Sequence, residues 1–348
     1  MKFRTYLDPD SGQAPYRYVA DQVSLQDDYH RSFRYLRLSI TDKCNFRCQY
    51  CLPNGYQKPA DQPAELSQPE ISRLVRGFTS LGVSKIRITG GEPSLRRDLA
   101  DIIADLASND LVKQIAVSTN GYRLERDILH WVEAGLNSVN VSVDSLEPAT
   151  FAQLTGSDSL PSVLRGISKA VEIPGLTVKI NAVLHKQTRA DELMRFFDLV
   201  KRQPVTVRFI ELMETAGTQA YFESEFVSSE RLMQYLRLHH WQEVKRGIDA
   251  GPAREFSHPD YAGRIGVIAP YSSGFCDSCN RLRVTATGNL HSCLFSQTSQ
   301  PLRDYLQTDG QLHLLQQQLI QAVRNKKSAH NLHHRETGLN YGFSAMGG

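Results

Sequence analysis

The chain has 348 residues and a mass of 39.2 kDa, enough for one large or two medium domains. Hydrophobic residues make up 41% of the chain, and no apolar run approaches the roughly eighteen residues of a membrane helix. The first residues show no secretory signal. We therefore expect a cytoplasmic globular protein without a membrane partner. Its net charge of +3 is too small to predict a nucleic-acid partner.

Short β-like runs alternate with amphipathic helical stretches from about residue 35 to residue 211, after a polar N-terminal arm at residues 1–30. The predicted strands are Tyr35–Ile40, Lys85–Thr89, Gln114–Ser118, Ser138–Val143, Thr177–Leu184 and Val205–Ile210. The predicted helices are Gln68–Leu81, Leu99–Ala107, Leu124–Ala134, Val163–Val171 and Asp191–Lys201. Six β/α units in series predict an α/β fold, a TIM-like partial (β/α)6 barrel over residues 31–215.

The alternation ends after Thr215. A stretch from Glu243 to Ala269, punctuated by glycine and proline, is typical of β-structure, and a helix is predicted around Leu312–Arg324. We therefore expect residues 216–348 to form a smaller β-rich and helical region that closes over the barrel and carries the last three cysteines.

Six cysteines fall into two sets of three. The first cysteine set, spaced C-x3-C-x2-C, is Cys44, Cys48 and Cys51; the second cysteine set, spaced C-x2-C-x13-C, is Cys276, Cys279 and Cys293. Tetrahedral zinc sites and cuboidal iron–sulfur clusters normally take four protein ligands. Each set therefore predicts a metal centre with one open position, where a substrate or cofactor can bind.

Two other uses of these cysteines are open on spacing alone. Three disulfides would suit a small secreted domain, which this chain does not resemble. Structural zinc is the stronger alternative for the second cysteine set, because His291 stands two residues before Cys293 and could supply a fourth ligand. A zinc-stabilised nucleic-acid-binding module is therefore a competing hypothesis of a different class.

Distinctive residues follow the predicted strands at the point where each strand ends. They are the first cysteine set after the first strand, Gly90-Gly91-Glu92-Pro93 after the second, Ser118 to Gly121 after the third, Ser142 and Asp144 after the fourth, and Glu211 and Met213 after the sixth. Active sites of parallel α/β barrels lie at the carboxyl ends of the strands. These residues are therefore expected to converge on one mouth of the barrel.

The segment CNFRCQYC at Cys44–Cys51, with an aromatic residue before its last cysteine, resembles the motif of the radical S-adenosylmethionine (SAM) superfamily. The segment GGEP at Gly90–Pro93 matches that superfamily too. Within it, the chain resembles the GTP 3′,8-cyclase family of molybdenum cofactor biosynthesis. That resemblance is carried by LRLSITDKCNFRCQYCLPNGY, IRITGGEPSLRRD, VRFIELMET, HPDYAGRIG, FCDSCNRLRVTATGNLHSCLF and the terminal Gly-Gly. It extends from about Tyr35 to the last residue.

The resemblance implies two [4Fe–4S] clusters, one on each cysteine set, with SAM bound at the open iron of the first. The positions that match SAM contacts of the family are Tyr50, Gly91, Ser142 and Met213. The positions that match its GTP contacts are Arg37, Arg87, Ser118, Lys179, Arg281, Leu282 and Arg283. Relatives usually have threonine where this chain has Ser118. Catalytic roles are implied for Arg281, Arg283 and the terminal Gly347 and Gly348.

The implied reaction converts GTP to (8S)-3′,8-cyclo-7,8-dihydroguanosine 5′-triphosphate, the first step toward molybdopterin. The expected partners are GTP as substrate, a reductant protein that supplies electrons, and a downstream pterin-forming enzyme, for a monomer or homodimer. A radical SAM enzyme that modifies a peptide is the alternative within the same class, because some of those enzymes also carry auxiliary clusters.

Overall fold

The computed structural model describes residues 24–215, 218–245, 247, 250–338 and 343–346. The first six strands are β1 (Tyr35–Ser39), β2 (Lys85–Thr89), β3 (Gln114–Thr119), β4 (Ser138–Ser142), β5 (Thr177–Leu184) and β6 (Thr206–Glu211). The helices among them are α1 (Gln68–Thr79), α2 (Leu99–Ala107), α3 (Leu124–Glu133), α4 (Pro148–Thr155), α5 (Leu160–Val171) and α6 (Ala190–Arg202). Each of the six predicted strands is confirmed to within one residue at both ends.

Later strands and helices follow in the remaining described segments. The strands are β7 (Gln242–Glu243), β8 (Arg254–Ser257), β9 (Arg264–Ile268), β10 (Arg281–Val284), β11 (Asn289–His291) and β12 (Gln300–Pro301). The helices are α7 (Gln219–Glu225), α8 (Glu230–Leu238), α9 (Leu312–Arg324) and α10 (Phe343–Met346). No helix of the described segments has the length and apolar character to span a membrane.

Helix α4 is a helix of the barrel region that sequence periodicity missed, and α7 and α8 after residue 215 were not predicted either. Only Phe151 and Thr155 of its eight residues are buried, so it has no continuous apolar stripe for a periodicity argument to detect. Its Pro148 lies in the first turn, where a missing N–H costs nothing, and Gly156 ends it in the left-handed conformation. This helix matters for function because the first cysteine set packs against its end.

The strands form one open sheet in the order β12-β11-β10-β1-β2-β3-β4-β5-β6-β9-β8-β7. Strands β1 to β6 are parallel, β9 adds to β6 and β10 adds to β1, both in parallel. The sheet curves strongly, since Arg87 on β2 is close enough to Arg208 on β6 for their charges to interact. The partial barrel is thereby confirmed.

Residues after 215 extend this sheet at both edges rather than building a separate one. No break in the sheet separates residues 31–215 from residues 216–348. The division of the chain into these two domains therefore stays a prediction from the sequence. Of the expected N-terminal arm, residues 24–30 are described: Leu25 is buried and Gln26 forms a β-bridge with Ser32. The first 23 residues lie outside the described residues.

Helix α1 is tied to the C-terminal part of the sheet by a bidentate ion pair. Arg303 donates from Nε to Glu70 Oε1 at 2.8 Å and from Nη2 to Oε2 at 3.1 Å, and Glu70 also accepts from the backbone N–H of Ser67. Burial alone would raise the pKa of Glu70, yet the hydrogen bonds from Arg303 and Ser67 lower the pKa to about 2. The carboxylate is thus held ionised.

Replacing Arg303 with alanine is expected to lower the melting temperature of the anaerobic protein, because the buried carboxylate of Glu70 loses its charged partner at a cost of about 2 kcal/mol. Arg165→Ala, which removes a bidentate pair with Glu125 on an exposed surface, is the matched control and should change the melting temperature much less. If the two variants had equal melting temperatures, the stabilising role of the Glu70–Arg303 ion pair would be contradicted.

Candidate active site

The first cysteine set lies in the loop that follows β1, at the barrel mouth. Two backbone hydrogen bonds join this loop to the end of α4: the N–H of Arg47 donates to Thr155 O at 2.8 Å, and that of Gln49 to Leu154 O at 3.1 Å. Phe46 is buried against Phe151 in an edge-to-face contact. The sequence between the cysteines therefore anchors the loop and leaves its thiols facing inward.

Gly90 and Gly91 accommodate the cysteine loop itself. A Cβ on Gly90 would lie 2.1 Å from Thr41 O, and one on Gly91 would lie 2.2 Å from Lys43 O. Gly90 also has φ +145°, a conformation that other residues rarely adopt. Glycine is therefore required at both positions, because the backbone of residues 41–43 already fills the space that a side chain would occupy.

Glu92, the third residue of the GGEP segment, is fully buried and holds neighbouring strand ends together. Its carboxylate accepts hydrogen bonds from the backbone N–H of Ser94 (2.9 Å) and Asn120 (2.6 Å) and from the hydroxyl of Thr119 (2.8 Å). Burial raises the pKa of Glu92, and these hydrogen bonds oppose that rise. Sequence reasoning gave Glu92 no role of its own.

A first cavity opens at the mouth, with about 960 Å³ of space that is partly open to solvent. The first cysteine set and all four predicted SAM contacts (Tyr50, Gly91, Ser142 and Met213) line it. Asp144 lines it as well and accepts a hydrogen bond from the Tyr50 hydroxyl at 2.9 Å. The structure thus brings these predicted residues together.

A second cavity of similar size lies deeper in the barrel and contains the second cysteine set. Five arginines line it: Arg37, Arg87, Arg208, Arg281 and Arg283. Asn181, Ile210 and Met213 line both cavities, so the two are adjacent. The two cysteine sets therefore lie at opposite ends of one continuous space.

The predicted substrate residues are not all on the wall of the second cavity. Ser118 lines the first cavity and accepts a hydrogen bond from Arg87 Nη1 at 3.2 Å. Lys179 is absent from the lining and donates to Glu255 Oε1 at 3.3 Å. Leu282 is fully buried in the apolar core on the opposite face of β10, so a substrate could reach only its backbone.

Arg208 is a cavity residue that sequence reasoning missed. It is buried on β6 beside Gly266, where a Cβ would lie 2.7 Å from its Cγ, so the glycine leaves room for the arginine. Burial lowers the pKa of Arg208 to about 10, with the nearby charge of Arg87 acting in the same direction. The available signal was the alternation of Arg208 with apolar neighbours in the predicted strand, since Val207 and Phe209 flank it.

The thiols of the two sets lie in different electrostatic surroundings. In the first set burial dominates and raises the pKa of Cys44 to about 11 and that of Cys51 to about 12. In the second set burial would raise the pKa of Cys279, but the positive charges of Arg281 and Lys326 outweigh it and lower the pKa to about 6. The deeper site therefore favours a thiolate even without a metal.

The six cysteines are all unbridged, so the disulfide hypothesis is wrong. His291 is buried and does not line the cavity of the second cysteine set, so the structure does not gather it as a fourth ligand. No group of three or more His, Cys, Asp or Glu side chains in the described ranges is arranged to hold a single metal ion. A cuboidal cluster makes no such demand, because each thiolate binds a different iron.

Arg31 holds the loop of the second cysteine set from the N-terminal side. Its Nη1 donates to Cys276 O at 3.1 Å and to Ser328 O at 2.5 Å, while its Nη2 donates to Lys327 O at 2.7 Å. The guanidinium also pairs with the buried carboxylate of Asp27 at 2.6 Å. The segment before β1 thus supports the deeper metal site, a function that its polar sequence did not suggest.

Known proteins resemble the chain in both modules. Residues 38–200 match the family model for the Radical SAM superfamily, and residues 205–332 match that for Molybdenum Cofactor Synthesis C. A crystal structure of SuiB from Streptococcus suis bound to S-adenosylmethionine has a TM-score of 0.58 to this chain, at 15% identity, covering 85% of this chain and 69% of SuiB. The fold is therefore that of the radical SAM proteins.

Sequence similarity to curated relatives is much closer. GTP 3′,8-cyclase of Actinobacillus pleuropneumoniae serotype 7 is 47% identical over 94% of this chain and 97% of the relative. The enzyme of the same name from Photorhabdus laumondii is 48% identical over 93% of this chain and 99% of the relative. The chain belongs to the GTP 3′,8-cyclase family.

Replacing Arg31 with alanine is expected to destabilise the second cysteine set selectively. The substitution frees the loop backbone and leaves Asp27 buried without its partner, a loss of about 3–5 kcal/mol. Iron analysis and electron paramagnetic resonance of the reconstituted protein should show loss of the second cluster with the first retained. The exposed Arg126→Ala is the control, and full retention of both clusters in Arg31→Ala would refute the support role.

Proposed function

We propose that this chain converts GTP to (8S)-3′,8-cyclo-7,8-dihydroguanosine 5′-triphosphate, the first step of molybdopterin biosynthesis, using SAM and two [4Fe–4S] clusters. The observation that carries the proposal is one continuous space with a cysteine set at each end and five arginines on its wall. Relatives at 46–48% identity that are named GTP 3′,8-cyclase support it.

The lining of the first cavity fits an iron–sulfur cluster together with SAM. Cys44, Cys48 and Cys51 would hold the cluster, which would supply the electron for reductive cleavage of SAM. We assign Tyr50, Gly91, Ser142 and Met213 to SAM because they surround the thiols on the same wall. The side chain of Tyr50 is held in place by its hydrogen bond to Asp144.

The second cavity fits the second cluster together with a polyanionic nucleotide. Cys276, Cys279 and Cys293 would hold the cluster, and arginine forks can bind phosphate oxygens in bidentate fashion. The amide oxygens of Asn140 and Asn181 are buried without a hydrogen-bond partner among the described residues, as expected of groups that a ligand satisfies.

Assignments to GTP follow the cavity wall. We assign Arg37, Arg87, Arg281 and Arg283 to direct contact, and Ser118 to the boundary with the SAM site. Leu282 would act only through its backbone. Lys179 would reach the substrate only by leaving Glu255, so it is the weakest member of the set.

Gly347 and Gly348 lie outside the described residues, and a catalytic role for them is part of the proposal. The preceding helix supports it, because Phe343 and Ser344 line the first cavity and Met346 O accepts a hydrogen bond from Arg283 Nη1 at 3.2 Å. The chain is thus already directed into the space between the two cysteine sets two residues before its end.

A reductant protein, a downstream pterin-forming enzyme, a cytoplasmic location and a monomeric or homodimeric state complete the proposal. The alternative function is that of a radical SAM enzyme that modifies a peptide. That alternative leaves the five arginines that line the second cavity without an anionic ligand to bind.

Reconstituted protein incubated anaerobically with GTP, SAM and a chemical reductant is expected to form the cyclised nucleotide, identified by mass spectrometry. Replacing Cys44, Cys48 and Cys51 with alanine should abolish SAM cleavage and cyclisation. Replacing Cys276, Cys279 and Cys293 should abolish cyclisation alone, with iron falling by about half in either variant because each set holds its own cluster. SAM cleavage that never consumes GTP in the unmodified protein would refute the proposal.

Removing Gly347 and Gly348 is expected to leave iron content and GTP binding near normal while cyclisation is largely lost. A residue without a Cβ can enter a crowded space between two clusters and a nucleotide, whereas a larger one cannot. Replacing both glycines with alanine should have the same effect at unchanged chain length. Full cyclase activity of the truncated protein would show that the two residues are an ordinary chain end.

A further inference from the structure

Three parallel neighbouring strands, β10, β1 and β2, place six side chains in a two-by-three array on the wall of the barrel interior. The register aligns Arg281, Tyr35 and Lys85 in one row, and Arg283, Arg37 and Arg87 in the next. In-register neighbours on one face of a sheet lie close enough for their side chains to interact. Five positions of the array carry cations, and the sixth is a tyrosine.

Tyr35 contacts the cations of β2 directly. Arg87 donates a hydrogen bond from Nε to the phenolic oxygen, and its guanidinium carbon lies 5.7 Å from the ring centroid. The ammonium of Lys85 lies 4.8 Å from the same centroid. Only 3% of Tyr35 is exposed to solvent, so these interactions are poorly screened.

The charged groups around this tyrosine lie on its own strand, on the two neighbouring strands and on strands across the barrel. They are Arg37 on β1, Lys85 and Arg87 on β2, Arg281 and Arg283 on β10, Arg208 on β6 and Lys179 on β5, with Glu255 on β8 beside Lys179. Helix α10, which also packs on β1, contains no titratable side chain. The groups among these described residues that can carry negative charge are Tyr35 and Glu255, together with the thiolates of Cys279 and Cys293 that act on Arg283.

We propose that Tyr35 is a positioning residue of the substrate cavity. Its phenolate oxygen balances the positive array and holds the Arg87 guanidinium in the empty enzyme, until the triphosphate of GTP replaces that negative charge. Arg87 also donates to Ser118 at 3.2 Å, so the tyrosine fixes the arginine between the two cavities. This inference rests on the proposed function, because it takes GTP as the incoming anion.

The ionisation of Tyr35 gives the proposal a measurable consequence. Burial alone would raise the pKa of Tyr35, but the charges of Arg87, Arg37 and Lys85 outweigh it and lower the pKa to about 7. A bound triphosphate neutralises those charges and returns the pKa toward its ordinary value of about 10. GTP binding therefore takes up a proton above pH 7, and GTP affinity falls as pH rises, by up to about tenfold per pH unit.

Proton uptake by Lys85 must be distinguished from proton uptake by Tyr35 in this measurement. Burial lowers the pKa of Lys85 to about 8, so a bound anion would raise the protonation of the lysine as well. Isothermal titration of the holoenzyme with GTP, in buffers of different ionisation enthalpy, should be carried out in a Lys85→Met background. That background keeps Arg87 and Arg37, the two charges that lower the pKa of Tyr35 most, but it loses the contribution of Lys85, so the pKa of Tyr35 rises in the empty enzyme. Proton uptake per GTP is therefore expected to grow toward one as pH rises from about 7.5 to 9, where the phosphates are fully ionised.

Adding Tyr35→Phe to Lys85→Met should reduce proton uptake to near zero and flatten the pH dependence of GTP affinity. Tyr271→Phe in the same background is the control, since burial raises the pKa of Tyr271 to about 12 and its hydroxyl accepts a hydrogen bond from the Glu214 N–H. This control should keep the full proton uptake.

Inorganic triphosphate serves as a second probe and separates two kinds of failure. If GTP or triphosphate binds with the same proton uptake whether or not Tyr35 has its hydroxyl, the role of Tyr35 is overturned. Absence of binding by either anion to the unmodified holoenzyme would instead overturn the GTP site. If proton uptake depends on the Tyr35 hydroxyl with both GTP and inorganic triphosphate, the triphosphate is confirmed as the group that replaces the phenolate charge.

Discussion

The concentration of five arginines on the inner wall of one curved sheet is the constraint on which the rest of this structure depends. Buried guanidinium groups lose their hydration and repel one another, which would be costly unless negative charge is supplied. Within the described residues part of that negative charge comes from Glu255 (which acts on Arg208), from Tyr35 and from Cys279, whose surroundings favour the thiolate. Because these groups supply less negative charge than the five arginines supply positive charge, the cavity suits a polyanion, and a neutral peptide would bind poorly.

The same charges distinguish the two metal sites. The second cysteine set shares its cavity with the arginines, and Arg281 Nη2 lies 3.9 Å from Cys279 Sγ. Among the described residues, no Lys or Arg lines the cavity of the first set, which lies in a largely apolar mouth beside Phe46 and Phe343. One end of the continuous space thus combines a thiolate site with an anion site, while the other is a largely apolar pocket at the barrel mouth.

Sequence predicted the fold and the grouping of each cysteine set at one place because the relevant signals are local. Strand and helix periods, the spacing of each cysteine set, and glycines next to the strand ends can all be read within a few residues. Helix α4 was missed since it buries too few side chains to show a period. Arg31 was missed since its partners at Cys276, Lys327 and Ser328 are about 245 to 297 positions away along the chain.

Register is the part of the site that the sequence could not provide. Tyr35, Lys85 and Arg281 come from strands separated by about 50 and 246 positions, and only the parallel pairing of β10, β1 and β2 puts them in one row. A shift of one residue in either pairing would turn alternate side chains to the outer face and bring Leu282 or Ile86 beside Tyr35. The charge balance of the cavity is therefore set by sheet register, and the apolar residues of β1, β2 and β10 that fill the outer core determine it.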